Sequence, residues 1–399
     1  MPPVIYLDNN ATTAVDPLVL EAMLPYLQTL YGNPSSMHSF GGQVSQALSQ
    51  AREQVAALLG ADPTEILFTS CGSEGNNTAI RAALAAQPDK RHIITTQVEH
   101  ASVLNLCKHL EKQGYRVTYL SVDGQGCLDL LELEAALTSD TAPVTLMAAN
   151  NETGVLFPIE AVGSLARDYG AVVHVDAVQA VGKIPLDLSH LPVDLLTLSG
   201  HKLHAPKGIG ALYIRRGFRF RPLLLGGHQE RGRRAGTENV PGIVALGKAA
   251  ELAQTHLGDP HEQILRDRLE QELLRRIPDT QINGHPDQRL PNTTNLGFKF
   301  VEGEAILFWL NKYGICASSG SACTSGSLEP SHVLRAMHLP YTVLHGSIRF
   351  SLSRLTQPDE IEQVLEVLPG IISHLRAISP FSNEAEDWLQ QQERELALR

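Results

Sequence analysis

The chain is expected to fold as a large doubly wound α/β unit with a mostly parallel sheet, joined to a smaller α+β unit. Three observations lead there. Short apolar runs alternate with helical segments from about residue 65 to 214, the pattern of parallel strands covered by helices on both faces. After about residue 240 this alternation gives way to a long helical stretch and then to mixed strands and helices. Finally, 399 residues are more than one hydrophobic core usually accommodates. The expected division is 16–259 for the large unit, 1–15 together with 260–379 for the small one, and 380–399 as a polar tail.

The elements follow in order. Asp16-Pro17 reads as a helix cap and a first-turn proline, with Leu20, Met23, Leu24 and Leu27 at helical spacing behind them. A second amphipathic helix is expected over 43–59, stopped by Gly60. Apolar runs at 65–69, 92–96, 116–121, 144–148, 172–175, 195–199 and 210–214 read as strands, with helices over 101–113 and 159–169 among them. Further on, 240–276 reads as helical, 290–300 and 347–352 as strands, and 302–313 as a helix.

Composition removes several classes of function. Lys and Arg number 32 against 43 Asp and Glu, a net charge of −11. A broad nucleic-acid footprint needs a basic face, so no nucleic-acid partner is expected despite the local cluster Arg231, Arg233 and Arg234. Residues 1–10 lack the basic stretch and apolar core of a secretory signal, and no segment is long and apolar enough to span a bilayer, so no membrane association is expected. Five cysteines without a C-x-x-C pair suggest neither a disulfide framework nor a structural zinc site. A reducing cytoplasm is the compartment that fits.

Chemistry concentrates at three places. The run Ser70-Cys71-Gly72-Ser73-Glu74-Gly75-Asn76-Asn77 lies between a strand and the helix-compatible 78–86, a turn that offers backbone N–H groups to an anion. It matches neither the dinucleotide nor the P-loop glycine pattern. The strand ending at Asp176 is followed by Ala177-Val178-Gln179, and the next ends at Ser199-Gly200-His201-Lys202. Two such strand ends meet at the carboxyl edge of a sheet, where folds of this class bind ligands. A structural Asp–Lys ion pair would leave the same trace in the sequence. The third place is Ser318-Ser319-Gly320-Ser321-Ala322-Cys323-Thr324-Ser325-Gly326, whose small polar composition is a poor match for a buried core cysteine.

The strand-end pair resembles fold-type I pyridoxal-phosphate enzymes of the class V aminotransferase group. His228-Gln229-Glu230-Arg231-Gly232-Arg233-Arg234-Ala235-Gly236-Thr237-Glu238-Asn239 and the Cys323 run sharpen the likeness, as do Tyr6-Leu7-Asp8-Asn9-Asn10-Ala11-Thr12-Thr13 and Gly32-Asn33-Pro34-Ser35-Ser36. Together they are similar to cysteine desulfurases of the nitrogen-fixation NifS type over about residues 4–375. An aminotransferase or a selenocysteine lyase would share the fold, but an aminotransferase has no need of the cysteine loop.

This resemblance implies pyridoxal 5′-phosphate as cofactor and L-cysteine as substrate. It implies that Lys202 holds the cofactor aldehyde covalently and moves the Cα proton, that Asp176 keeps the ring nitrogen protonated, and that His100 stacks on the ring. Gln179 and Asn151 match positions near the phenolic oxygen. Gly72, Ser73, Ser199 and His201 match phosphate or cofactor contacts. Thr237 matches a residue that reaches the neighbouring subunit's phosphate, which implies a homodimer. Arg349 and Asn33 match substrate-binding positions, and a guanidinium suits a carboxylate because both are planar and two-pronged. Cys323 matches the thiol that receives sulfur as a persulfide and could serve as a transient iron–sulfur ligand. An iron–sulfur scaffold or another sulfur acceptor is the partner implied. Cys71, Cys107, Cys127 and Cys316 read as structural.

Overall fold

The computed structural model of the protein describes residues 4–319 and 330–380. It begins with the short strand β1 (Ile5–Tyr6) and the helices α1 (Pro17–Gln28) and α2 (Ser39–Leu59). Asp16 Oδ1 accepts from Leu18 N at 2.8 Å and Pro17 fills the first turn, so the cap reads true. Helix α2 starts at Ser39, earlier than its apolar spacing suggests, because His38 Nδ1 accepts from Gly41 N at 3.1 Å and caps it there. It ends at Gly60, whose φ of 60° is the left-handed conformation that glycine adopts at least cost.

Strand and helix then alternate: β2 (Ile66–Thr69), α3 (Gly72–Ala86), β3 (His92–Thr96), α4 (Ala101–Glu111), β4 (Arg116–Leu120), α5 (Leu130–Ala136), β5 (Thr141–Met147), α6 (Ile159–Asp168), β6 (Val172–Asp176), β7 (Leu195–Ser199) and β8 (Gly210–Ile214). Among the described residues these strands form a seven-stranded sheet in the order β2-β8-β7-β6-β5-β3-β4. Strand β8 runs antiparallel to both neighbours, while the β7-to-β4 side is parallel. Strands β5 to β8 are buried at every position, as a sheet covered on both faces requires. That burial is why they appear in the sequence as mostly apolar runs, interrupted by Thr145, His174 and Thr197.

One boundary differs in a way that matters for the site. The small-residue run after β2 is not a turn preceding a helix; α3 starts at Gly72 and contains it. A Cβ at Gly75 would stand 2.5 Å from Thr197 Cγ2 of β7, so glycine lets the first turn of α3 close directly onto the sheet.

The helical stretch after residue 240 divides into α7 (Val240–His256) and α8 (His261–Arg276), separated by Gly258-Asp259-Pro260. Beyond it lie β9 (Thr280–Ile282), β10 (Thr293–Phe298), α9 (Gly303–Lys312), β11 (Ile315–Cys316), α10 (His332–Ala336), α11 (Tyr341–His345), β12 (Ser347–Ser351) and α12 (Pro358–Ile378). An antiparallel sheet β12-β10-β9 and the parallel pair β1-β11 pack here. A second hydrophobic core joins Leu269, Phe298, Phe350, Ile361 and Leu368, and it also takes in Ile5 and Leu7 from the start of the chain. The main core surrounds the large sheet.

Residues 8–13 therefore run from the second core to the edge of the large sheet. Asn9 N donates to Ser351 O at 3.1 Å, and Thr13 N donates to His201 O at 2.9 Å. Among the described residues no helix is long and apolar enough to cross a membrane.

Candidate active site

Strands β6 and β7 are parallel neighbours with Asp176 opposite Thr197, so Asp176 and Ser199 leave the sheet at one edge. A short turn, Gly200–Lys202, carries Lys202 just beyond that edge. The first turn of α3 packs against the same place.

Asp176 is 6% exposed and fully engaged. Its Oδ1 accepts from Val178 N at 3.0 Å, and its Oδ2 accepts from Asn76 Nδ2 at 2.6 Å. The same Asn76 amide donates to Ser102 Oγ at 2.9 Å. Ser102 Oγ lies 2.8 Å from His100 Nδ1, which also accepts from Ser102 N at 3.1 Å as the cap of α4. Because Nδ1 accepts, a neutral His100 ring carries its proton on Nε2. The chain Asp176–Asn76–Ser102–His100 thus orients an acid and an imidazole together. In the sequence Asn76 has no role of its own within the Ser70–Asn77 run and Ser102 is not singled out; asparagine and serine are too common in turns and helix starts. Next to His100, Glu99 is wholly buried, and burial with the nearby Asp176 charge pushes its carboxyl up to about 8.

Lys202 Nζ donates to Asn10 O at 2.5 Å and to Ala11 O at 2.6 Å. Gln179 Nε2 donates to the same Asn10 carbonyl at 2.9 Å. Asn10 is itself buried and pinned, its amide donating to Thr293 Oγ1 at 2.9 Å and to Asn151 O at 3.2 Å. His201 Nδ1 lies 3.2 Å from Thr12 Oγ1, and burial followed by the Lys202 charge pushes the ring down to about 4, so it is neutral at ordinary pH. Residues 10–12 therefore gather Lys202, His201 and Gln179 onto one strip of backbone.

Arg349, on β12, is 2% exposed. Its Nη2 donates to Asp8 Oδ1 at 2.6 Å, and its Nη1 donates to Asn151 O at 2.9 Å. Its backbone pairs with Ser318, Arg349 N donating to Ser318 O at 2.7 Å. Ser331, at the start of α10, donates its hydroxyl to the buried Glu152 carboxylate. The segment bearing Cys323 is thus attached beside Arg349 at one end and beside Glu152, the neighbour of Asn151, at the other. Cys323, and with it the iron–sulfur ligand expected there, lies outside the described residues.

Gly72 is buried at the start of α3 and Ser73 is exposed beside it. Thr237 is exposed in the segment before α7, lining a concavity with Ser70 and Arg234. Arg234 Nε donates to Glu74 Oε1 at 3.0 Å, which ties that segment to the first turn of α3. Asn33 lies in an exposed loop with its Oδ1 accepting from Ser35 N at 2.9 Å, and no hydrogen bond among the described residues joins it to the cluster. The other cysteines are free thiols; burial pushes Cys107 up to about 12, which makes it inert.

These residues fit pyridoxal 5′-phosphate. Ser199 Oγ is buried with no hydrogen-bond partner among the described residues, a costly state unless a ligand supplies one. Helix α3 follows Cys71, which makes no side-chain cap among the described residues, so its first amides and its positive dipole end suit a phosphate. Asp176 offers a held carboxylate to a ring nitrogen, and Lys202 offers an amine to an aldehyde.

Comparison with known proteins agrees with this geometry. The aminotransferase class-V family model matches residues 5–364. A protein of Trichormus variabilis, "Cysteine desulfurase 2", is 74% identical over 395 residues, covering 99% of each chain. "Cysteine desulfurase NifS" of Azotobacter vinelandii is 57% identical over 380 residues, covering 94% of each. A solved structure titled "NIFS-like protein" superposes with a TM-score of 0.88 at 40% identity, covering 94% of this chain and all of its own.

Proposed function

Since the chain belongs to the class-V aminotransferase family, we propose that it is a pyridoxal-phosphate-dependent cysteine desulfurase that takes sulfur from L-cysteine, releases L-alanine and keeps the sulfur as a persulfide on Cys323. Pyridoxal phosphate, when bound, supplies an aldehyde for amino groups and a sink for the electrons left when Cα loses its proton. Everything else falls to the chain's own side chains.

Arg349 binds the substrate carboxylate through its two-pronged guanidinium. Lys202 holds the cofactor at rest and, once released, carries the proton at Cα. Asp176 keeps the proton on the ring nitrogen, and Asn76 holds that carboxylate in place. Ser199, His201, Gly72 and Ser73 would hold the phosphate end, and Gln179 and Asn151 would serve the phenolic oxygen. His100 would stack on the ring, and its Nε2–H, a donor, would assist proton movement there.

The Cys323 thiolate then attacks the substrate sulfur. A sulfur–sulfur bond forms, the Cβ–S bond breaks, and Cβ takes up a proton, so that L-cysteine plus thiol becomes L-alanine plus persulfide. Orientation is the main requirement, since well-placed reactants can save roughly 7–11 kcal/mol of barrier.

The observation that carries the reading is the meeting of Lys202 and Gln179 on one carbonyl, Asn10 O, beside the Arg349–Asn151 contact. The two cores support a division into 16–259 and 1–15 with 260–379 at most positions, while Leu290, Val333, Leu334 and Met337 join the core of the large unit. A homodimer is supported by the half-exposed Leu18, Leu20 and Leu27 along α1 and by exposed Thr237, which suits a partner's site. The proposed acceptor is an iron–sulfur scaffold, in keeping with the NifS relatives, and the proposed compartment is the cytoplasm.

The test is Cys323→Ala. It should keep the visible absorption of bound pyridoxal phosphate and lose alanine release from L-cysteine. Wild-type rates in that variant would overturn the role of Cys323.

A further inference from the structure

Lys183 lies four residues beyond Gln179, and nothing in the chemistry above uses it. Its ammonium donates to Gln179 Oε1 at 2.9 Å and to Asn10 Oδ1 at 3.3 Å. An ammonium has protons and no lone pair, so the atom of Gln179 that faces it has to be the oxygen. The amide nitrogen is thereby turned to Asn10 O, the carbonyl that also takes Lys202 Nζ. Asn10 O, which can only accept, asks for the same orientation, so Lys183 supplies the second of two contacts that keep this amide from rotating.

Lys183 is also a second cation near Lys202. The two line a small chamber with Asn9, His204, Asp259 and Glu262 at the junction of β7 and α8. The charged and titratable groups facing Lys183 are Lys202 and His204 after β7, His256 of α7, Arg349 of β12, Arg354 beyond it, and Asp259, His261 and Glu262 where α8 begins. Withdrawal from water lowers the proton affinity of Lys183; the Glu262 carboxylate opposes the change, and Lys202 and Arg349 add to it. Cation–cation repulsion is mutual. A nearby positive charge is a known means of lowering the proton affinity of a catalytic amine.

We propose that Lys183 is a positioning residue for this active centre, locking the Gln179 amide with its nitrogen on the Lys202 side and keeping a positive charge that disfavours protonation at Lys202. The inference rests on the reading of Lys202 as the lysine that carries pyridoxal phosphate.

The experiment uses the full chain loaded with pyridoxal 5′-phosphate and follows its visible absorption against pH. In Lys183→Met the titration midpoint should move up by about one unit, a tenfold change in proton affinity. Lys183→Arg, which restores the charge, should bring the midpoint back toward wild type. Should Lys183→Met fail to fold, Lys183→Gln carries the same expectation. Lys183→Met and Gln179→Leu should combine less than additively, because the amide half of the effect is gone in Gln179→Leu. An unchanged midpoint in the loaded Lys183→Met protein, or full additivity, would overturn this inference alone. A wild type that takes up no pyridoxal phosphate would overturn the proposed function instead.

Discussion

Replacing Arg349 with lysine separates charge from geometry at the substrate site. The guanidinium is 2% exposed, braced by Asp8 Oδ1 at 2.6 Å on one nitrogen and by Asn151 O at 2.9 Å on the other. This brace fixes the plane in which a carboxylate can be met by two parallel N–H bonds. A lysine keeps the charge but has neither the fork nor the reach to hold Asp8, Asn151 and a carboxylate together. The substrate should lose at least one charge-assisted hydrogen bond, about 1.5–3 kcal/mol. At about 1.4 kcal/mol per factor of ten, this raises KM for L-cysteine roughly 10- to 140-fold. Because the carboxylate is bound throughout the reaction, kcat should change much less. Initial rates of alanine release against L-cysteine concentration measure both, on protein matched for cofactor absorption and thermal unfolding midpoint. A KM within about twofold of wild type in a fully loaded Arg349→Lys protein would refute the assignment.

Two further outcomes test the scaffold. Glu230 and Arg231 both have left-handed backbone, with φ of 48° and 60°. The buried Glu230 carboxylate accepts from Arg52 Nη2 at 2.6 Å and from Phe68 N at 3.1 Å. Glu230→Ala should cost about 3 kcal/mol in urea unfolding, and a loss below about 1 kcal/mol would show that this anchor does not hold the segment leading to Thr237. His174 is wholly buried between Thr145 Oγ1 at 2.8 Å and Thr197 Oγ1 at 3.0 Å, and burial pushes it down to about 3. The unfolded chain takes up this proton near pH 6.5 and the folded one does not, so folding loses up to about 1.4 kcal/mol per pH unit as pH falls below that point. The stability advantage of wild type over His174→Gln should therefore shrink from pH 6.5 toward 4, and a constant advantage would contradict the burial argument.

Much of the catalytic edge could be read from local pattern alone. Buried parallel strands leave mostly apolar runs, so composition places the ends of β6 and β7, and Asp176 and Lys202 with them, although polar His174 and Thr197 lie within those strands. The helix start at Asp16-Pro17 and the helix stop at Gly60, both strong local signals, agree with the structure. The start of α3 does not, because its small residues look like a turn until the contact of Gly75 with Thr197 shows why a helix needs them there.

What remained for the tertiary structure to decide was which distant residues share the site. Asp8 meets Arg349 across 341 positions, Asn10 meets Thr293 across 283, and Lys183 meets both Asn10 and Gln179. Residue type and spacing specify strands, caps and candidate chemistry because these depend on neighbours a few positions away. They do not specify partners hundreds of positions apart, since closing such loops costs entropy that varies only slowly with length and is offset by packing of whole cores. The N-terminal strip over 8–13 became part of the active site because Ile5 and Leu7 are buried in the second core, and that burial is a property of the assembled fold.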